Sequence, residues 1–215
     1  MREAVMGGWS RRIFIAAAVA ALAAGAASAA EPARFAGKFH EAITAGSFDL
    51  GRFDEAVTLF ANAERRANGR PPFKRDGKLL RAAAGHAQNM AQMRTHSHRL
   101  NVAGEGRLVQ RMDRNGVRFR TAGENIGMEK VLRLLGRPIS TKAAGCAFTY
   151  ADTGAAVPVH TYASLAESAV ARWMASPKHR ASLLSTVFRR IGTSAAIDRK
   201  GPACGDVYLA QNFAD

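Results

Sequence analysis

The sequence predicts an α+β layered domain, with helices packed around a small antiparallel sheet. Three observations predict it. Two stretches, 54–68 and 76–93, carry apolar residues at helical spacing between start and stop signals. A third helical stretch, 164–184, is broken once at Pro177. The C-terminal stretch from Arg190 to Phe213 alternates apolar and polar residues on both sides of a turn, as a hairpin does. The chain has 215 residues, enough for one domain with a real core.

The first 29 residues read as an export signal rather than as part of that domain. Arg11 and Arg12 precede an apolar run from Ile13 to Ala24, and small residues follow up to Ala27-Ser28-Ala29. The run is too short for a comfortable membrane span. The block Ser10-Arg11-Arg12-Ile13-Phe14-Ile15 resembles a twin-arginine signal. Cleavage there leaves a soluble exported chain of about 185 residues that is not an integral membrane protein. The full chain carries a net charge of +14, and the signal accounts for +2 of it through Arg2, Glu3, Arg11 and Arg12. A mature charge of +12 suggests attraction to acidic surfaces such as phospholipid headgroups, envelope polyanions or nucleic acid. A generally basic, solvated surface is the plainer reading. Nucleic acid is not an expected partner, because the arginines are scattered and not interleaved with aromatics.

Residues 30–53 are weakly patterned and glycine-containing, and predict a mobile or peripheral arm with at most a short helix near Phe39 and Ile43. The first strong helix is expected over 54–68, with Val57, Leu59, Phe60 and Ala61 on its apolar face and Gly69, Pro71 and Pro72 as its stop. Asn62, Glu64 and Arg65 read as its solvated side. Asp76 caps a second helix to about Met93, with Leu79, Leu80, Ala83, Ala87, Met90 and Ala91 as the buried stripe. His86 lies among those alanines and reads as a packing residue before a ligand. His96 and His98 follow in what looks like a polar turn.

Leu108, Met112 and Val117 suggest a short helix ending at Gly116. The run Ala122-Gly123-Glu124-Asn125-Ile126-Gly127 reads locally as a common turn with an ordinary exposed Glu, although glycines on both sides can let the backbone approach closely and aim the carboxylate inward. Residues 128–162 look like an insertion: a helix over 128–135, then two short strands at 146–150 and 157–162. His160 reads as a surface hairpin residue. Ser164 and Glu167 have the spacing of a capping box, and Ser176 caps a new helix whose first residue is Pro177. Trp173 packs below that break and His179 sits just beyond it. The two cysteines, Cys146 and Cys204, form an even count in an exported chain and predict one disulfide, with two buried thiols as the alternative.

Taken in order, His98, Gly123-Glu124-Asn125-Ile126, Trp173, Ser176-Pro177, His179-Arg180 and Ala210-Gln211-Asn212-Phe213 resemble the CAP superfamily. That group comprises cysteine-rich secretory proteins, antigen 5 and pathogenesis-related proteins, also called SCP-domain proteins. The resemblance covers roughly residues 54–215 and is nearest the exported bacterial branch. It implies a three-layer α-β-α sandwich with a groove lined by two histidines and two glutamates. His98, Glu124 and His179 match three of those positions. The fourth does not carry over: plant and animal members resemble Trp-x-x-Glu, and this chain has Ser176 three residues after Trp173. Glu167 lies on the other side of Trp173, and the capping box explains it. His96 and His160 match no family position.

The resemblance implies a periplasmic or secreted, non-enzymatic binding module for a lipid, glycan or protein, with Asn125 and Ser176 beside the His/Glu set. The chemistry also admits an alternative. Two imidazoles and one carboxylate, His98, His179 and Glu124, form a credible zinc set with an open position, as in a metal-dependent hydrolase. No His-Glu-x-x-His motif or nucleophile elbow accompanies it. No catalytic residue is assigned, and no cofactor is required.

Overall fold

The computed structural model describes residues 37–44, 46–140 and 146–215. The export-signal reading lies outside the described residues. Helix α1 (Leu50–Ala67) is followed by the two-residue strand β1 (Lys74–Arg75), α2 (Gly77–Met93) and α3 (Leu108–Arg114). Strand β2 (Ala122–Lys130), helices α4 (Tyr162–Ala175) and α5 (Pro177–Leu183), and the hairpin β3 (Arg190–Asp198) and β4 (Asp206–Ala214) complete the chain.

The sheet order is β1-β3-β4-β2. Neighbouring strands are antiparallel except β1, which pairs parallel with β3. The sheet is therefore mixed, not purely antiparallel, through that one short edge. Helices α1 and α4 cover one face, where Val207, Leu209 and Phe213 of β4 meet Phe53, Val57 and Trp173. Helix α2 covers the other, where Tyr208 and Ala210 meet Ala83, Ala87 and Met90. This is an α+β sandwich of three layers, and all nine residues of β4 are buried at its centre. Among the described residues no helix is long and apolar enough to cross a membrane.

Several sequence expectations change for local physical reasons. Helix α1 starts four residues early because the Asp49 carboxylate caps it, accepting from the Arg52 N–H. Asp54 is instead buried inside α1, where it accepts from Thr193 N and Arg75 Nε, both at 2.7 Å, and ties helix to sheet. Arg65 is not solvated. It is fully buried, stacks on Phe73 at 3.7 Å and donates to the carbonyls of Pro71, Leu183 and Ser185. The arm is docked rather than peripheral: Phe39, in a short 3-10 turn, and Ile43 are both in the core.

The largest correction is β2. Residues 122–130 form a nine-residue strand, not a turn followed by a helix. Gly123 and Gly127 are there for space. A Cβ at 123 would lie 2.7 Å from the Phe188 ring, and one at 127 would lie 3.3 Å from Trp173 Nε1. Trp173 Nε1 in turn donates to the Ile126 carbonyl at 2.9 Å, pinning α4 to the strand.

The segment after β2 makes isolated bridges, Leu132 with Val159, Ile139 with Tyr150 and Thr149 with Ala156, rather than the two strands expected. Leu132, Tyr150 and Val157 give it a small core of its own. The Cys146–Cys204 disulfide fastens it to the β3–β4 turn, with Cα atoms 5.5 Å apart and a sequence separation of 58. Replacing both cysteines by serine is expected to lower unfolding stability by roughly 2–4 kcal/mol, measured by denaturant titration. An unchanged midpoint would mean that the clip constrains nothing.

Candidate functional site

Strand β2 presents alternate residues to the two faces of the sheet, and this divides the expected site residues. On the α2 face, Glu124 has only 4% of its side chain exposed. One oxygen meets His98 Nδ1 at 2.9 Å and the other accepts from Arg111 Nη2 at 2.6 Å. His98 reaches it from the loop after α2, where Arg94 ends the helix in the left-handed conformation. Arg111 comes from α3, is itself buried and also donates to the Glu105 carbonyl. His86, fully buried on α2, has Nε2 3.8 Å from the same Glu124 oxygen that His98 holds.

Burial alone would raise the Glu124 carboxyl. The His98 hydrogen bond and the Arg111 charge outweigh it and hold the group below the usual carboxylate range. Burial pushes His86 down to about 4, against the pull of Glu124. The Ser97 backbone lies close enough to favour its charged form slightly, yet neither ring nitrogen makes a hydrogen bond of normal geometry. Asn212, opposite Glu124 in the β2–β4 register, donates to Glu124 Oε2 at 3.2 Å when its amide is turned with nitrogen toward the carboxylate.

On the opposite face Asn125 is fully buried. Its amide donates to the His179 carbonyl at 3.2 Å and to Gln211 Oε1 at 3.1 Å, joining β2 to α5 and β4. Pro177 opens α5 with Ser176 at the N-cap, as the sequence predicts, though Ser176 makes no side-chain cap bond. His179, Ser176, Trp173, Arg172, His96 and Ile126 are among the residues around a cavity of about 340 Å³. Burial, then the nearby His98, depresses His179. His96 is lowered by burial, then by His98 and His179. His96 and His179 both line this end of the groove, and the nearby His98 disfavours charge on each of them.

His98 and Glu124 meet, but neither lines that cavity, whereas His179 and Ser176 do. Among the described residues no group of three His, Cys, Asp or Glu side chains is arranged to hold a metal ion. A guanidinium on one Glu124 oxygen and an imidazole on the other leave that carboxylate poorly suited to a cation. In this arrangement the residues do not fit a catalytic zinc centre.

Two further corrections concern α4. Its cap is Thr161, whose hydroxyl accepts from Ser164 N while Ser164 Oγ accepts from Thr161 N. Glu167 is therefore not part of a cap, and stands exposed on α4. His160 is not a surface residue. It is 5% exposed, its Nδ1 lies 2.9 Å from Ser164 Oγ, and burial followed by the Arg133 charge pushes it down to about 4. Sequence reasoning also missed Arg111, which nothing in the arginine-rich stretch around it distinguishes, and the closeness of His86 to Glu124. The inward stripe of α2 did place His86 on the correct face.

A model of the cysteine-rich secretory protein family, CAP, matches residues 60–213. The fold is similar to that of an extracellular SCP-domain protein from Bacillus anthracis, with 21% identity and a TM-score of 0.53. The match covers 81% of this chain and 44% of that one, so the chain spans less than half the length of that relative. It is also similar to an outer surface protein from Borrelia burgdorferi, at 16% identity and a TM-score of 0.52, covering 78% of this chain and 96% of that one. A search of curated proteins found no match.

Proposed function

Because the chain belongs to the cysteine-rich secretory protein (CAP) family, we propose that it is an exported binding module that takes an envelope ligand in the groove between β2 and the α4–α5 elbow. The carrying observation is the division of the His/Glu set. The acid of the set, Glu124, is neutralised by Arg111 and turned away from the cavity. The polar groups that line the cavity, His179, His96, Ser176, Arg172 and the Glu129 that pairs with Arg172, are hydrogen-bonding side chains around an aromatic floor. That is the composition of a recognition site. The basic balance supports an acidic lipid, glycan or protein as partner, and the disulfide supports an oxidising, extracytoplasmic setting.

The test is co-sedimentation of mature protein with isolated bacterial envelopes and with anionic vesicles. Retention is expected at low ionic strength, with loss toward roughly 1 M salt, where screening reaches about 3 Å. No retention at low salt on either material overturns the proposal.

A further inference from the structure

A second and larger cavity lies between residues 128–136 and residues 164–172 of α4. Its volume is about 830 Å³, within the roughly 300–1,000 Å³ of small-molecule sites. The groove reading does not use it. One wall is apolar and includes Met128, Leu132, Leu134 and Leu135. Met128 and Leu135 are 39% and 61% exposed, and with Leu132 and Leu134 they line one cavity as a shared apolar wall, the kind of grouped exposure that marks a ligand or interaction site.

The facing wall comes from α4 and the buried His160–Ser164 pair. Three cations and two carboxylates line the cavity. Lys130 is paired with Asp206, and Arg172 with Glu129. Glu167 is solvent-exposed, so water screens it. Arg133 is different: it is half-buried and has no carboxylate within ion-pair distance among the described residues. Its field is already felt by the neighbouring His160. A partly desolvated, unpaired guanidinium beside an open apolar wall calls for an anion that carries hydrocarbon.

We propose that this cavity binds an organic anion with an apolar body, its carboxylate or phosphate held by Arg133 and its hydrocarbon laid against Met128, Leu134 and Leu135. The segment after β2, fastened by the Cys146–Cys204 clip, supplies the cation and most of the apolar wall, and β2 itself supplies Met128. Most of the site therefore belongs to the stretch that reads in the sequence as an insertion. It is separate from the His179 groove, although Met128, Glu129 and Arg172 border both cavities.

The experiment is calorimetric titration of the disulfide-intact protein with decanoate and decyl phosphate below their micellar concentrations. Decyltrimethylammonium, octyl glucoside and inorganic phosphate serve as comparators. Both decyl anions are expected to bind at least about tenfold tighter than the cationic and neutral amphiphiles, and Arg133→Gln removes that preference. Leu135→Ser, at an exposed position that does not threaten folding, weakens both anions. His179→Ala leaves their affinity unchanged, so this site and the groove fail independently. Absence of binding to wild-type protein overturns the proposal, as does equal affinity for decyltrimethylammonium. So does inorganic phosphate binding as tightly as decyl phosphate, or an affinity that neither Arg133→Gln nor Leu135→Ser changes.

Discussion

Glu124→Leu is expected to destabilise the fold by roughly 3–5 kcal/mol, because it strands a buried guanidinium. Arg111 has 1% of its side chain exposed, and its other partner of normal geometry is the uncharged Glu105 carbonyl. Loss of the carboxylate also frees the His98 ring and removes the charge beside His86. For a domain of this size the melting temperature should fall by about 10 °C. Glu124→Leu combined with Arg111→Met should recover much of the loss, since a buried ion pair replaced by apolar groups costs far less than one broken in half. Thermal melts of the two singles and the double give the coupling directly. If Glu124→Leu melts like the wild type, the cluster does not hold α2, α3 and β2 together.

The second large effect is acid destabilisation between pH 6.5 and 4. His86 and His160 are both buried, and burial lowers each from its ordinary 6.5 to about 4. Above pH 6.5 both are neutral folded or unfolded, and stability is full. As pH falls toward 4 the unfolded chain takes up protons that the folded chain refuses, and stability drops by roughly 2–3 kcal/mol per histidine. At lower pH still, protonation of Glu124, whose folded carboxyl is held low, removes the Arg111 pair and adds to the loss. Urea unfolding at pH 7, 5.5 and 4.5 should trace this decline. His86→Met should remove about half of the drop between 6.5 and 4. A midpoint that stays flat over that range in the wild type contradicts the assignment.

Much of the frame was legible in the sequence because it rests on local rules. Asp76 caps α2, Pro177 opens α5, and the alternation of Ile191, Thr193, Ala195 and Ile197 gives β3. What escaped depends on tertiary space. Gly123 and Gly127 look like turn residues in a window of six, and only the rings of Phe188 and Trp173 packed against them explain their presence in a strand. Arg65 and Arg111 look like solvent-exposed charges until their partners arrive from segments remote in the sequence or across a turn. The motif positions did bring His98 to Glu124, and Asn125 to the backbone of His179. They did not show that β2 would send Glu124 to one face and Asn125 to the other. That alternation divides the expected set of His98, Glu124 and His179 between a tie on the α2 side and the groove proposed for binding on the α4–α5 side.

The two roles separate in one comparison. His179→Ala should weaken retention on bacterial envelopes by about tenfold, as the loss of a central recognition residue does, while its melting temperature stays within about 2 °C of the wild type. A His179→Ala protein that binds envelopes like the wild type but melts markedly lower would show that the histidine only fastens α5 to the sheet, and would contradict the groove as the binding face.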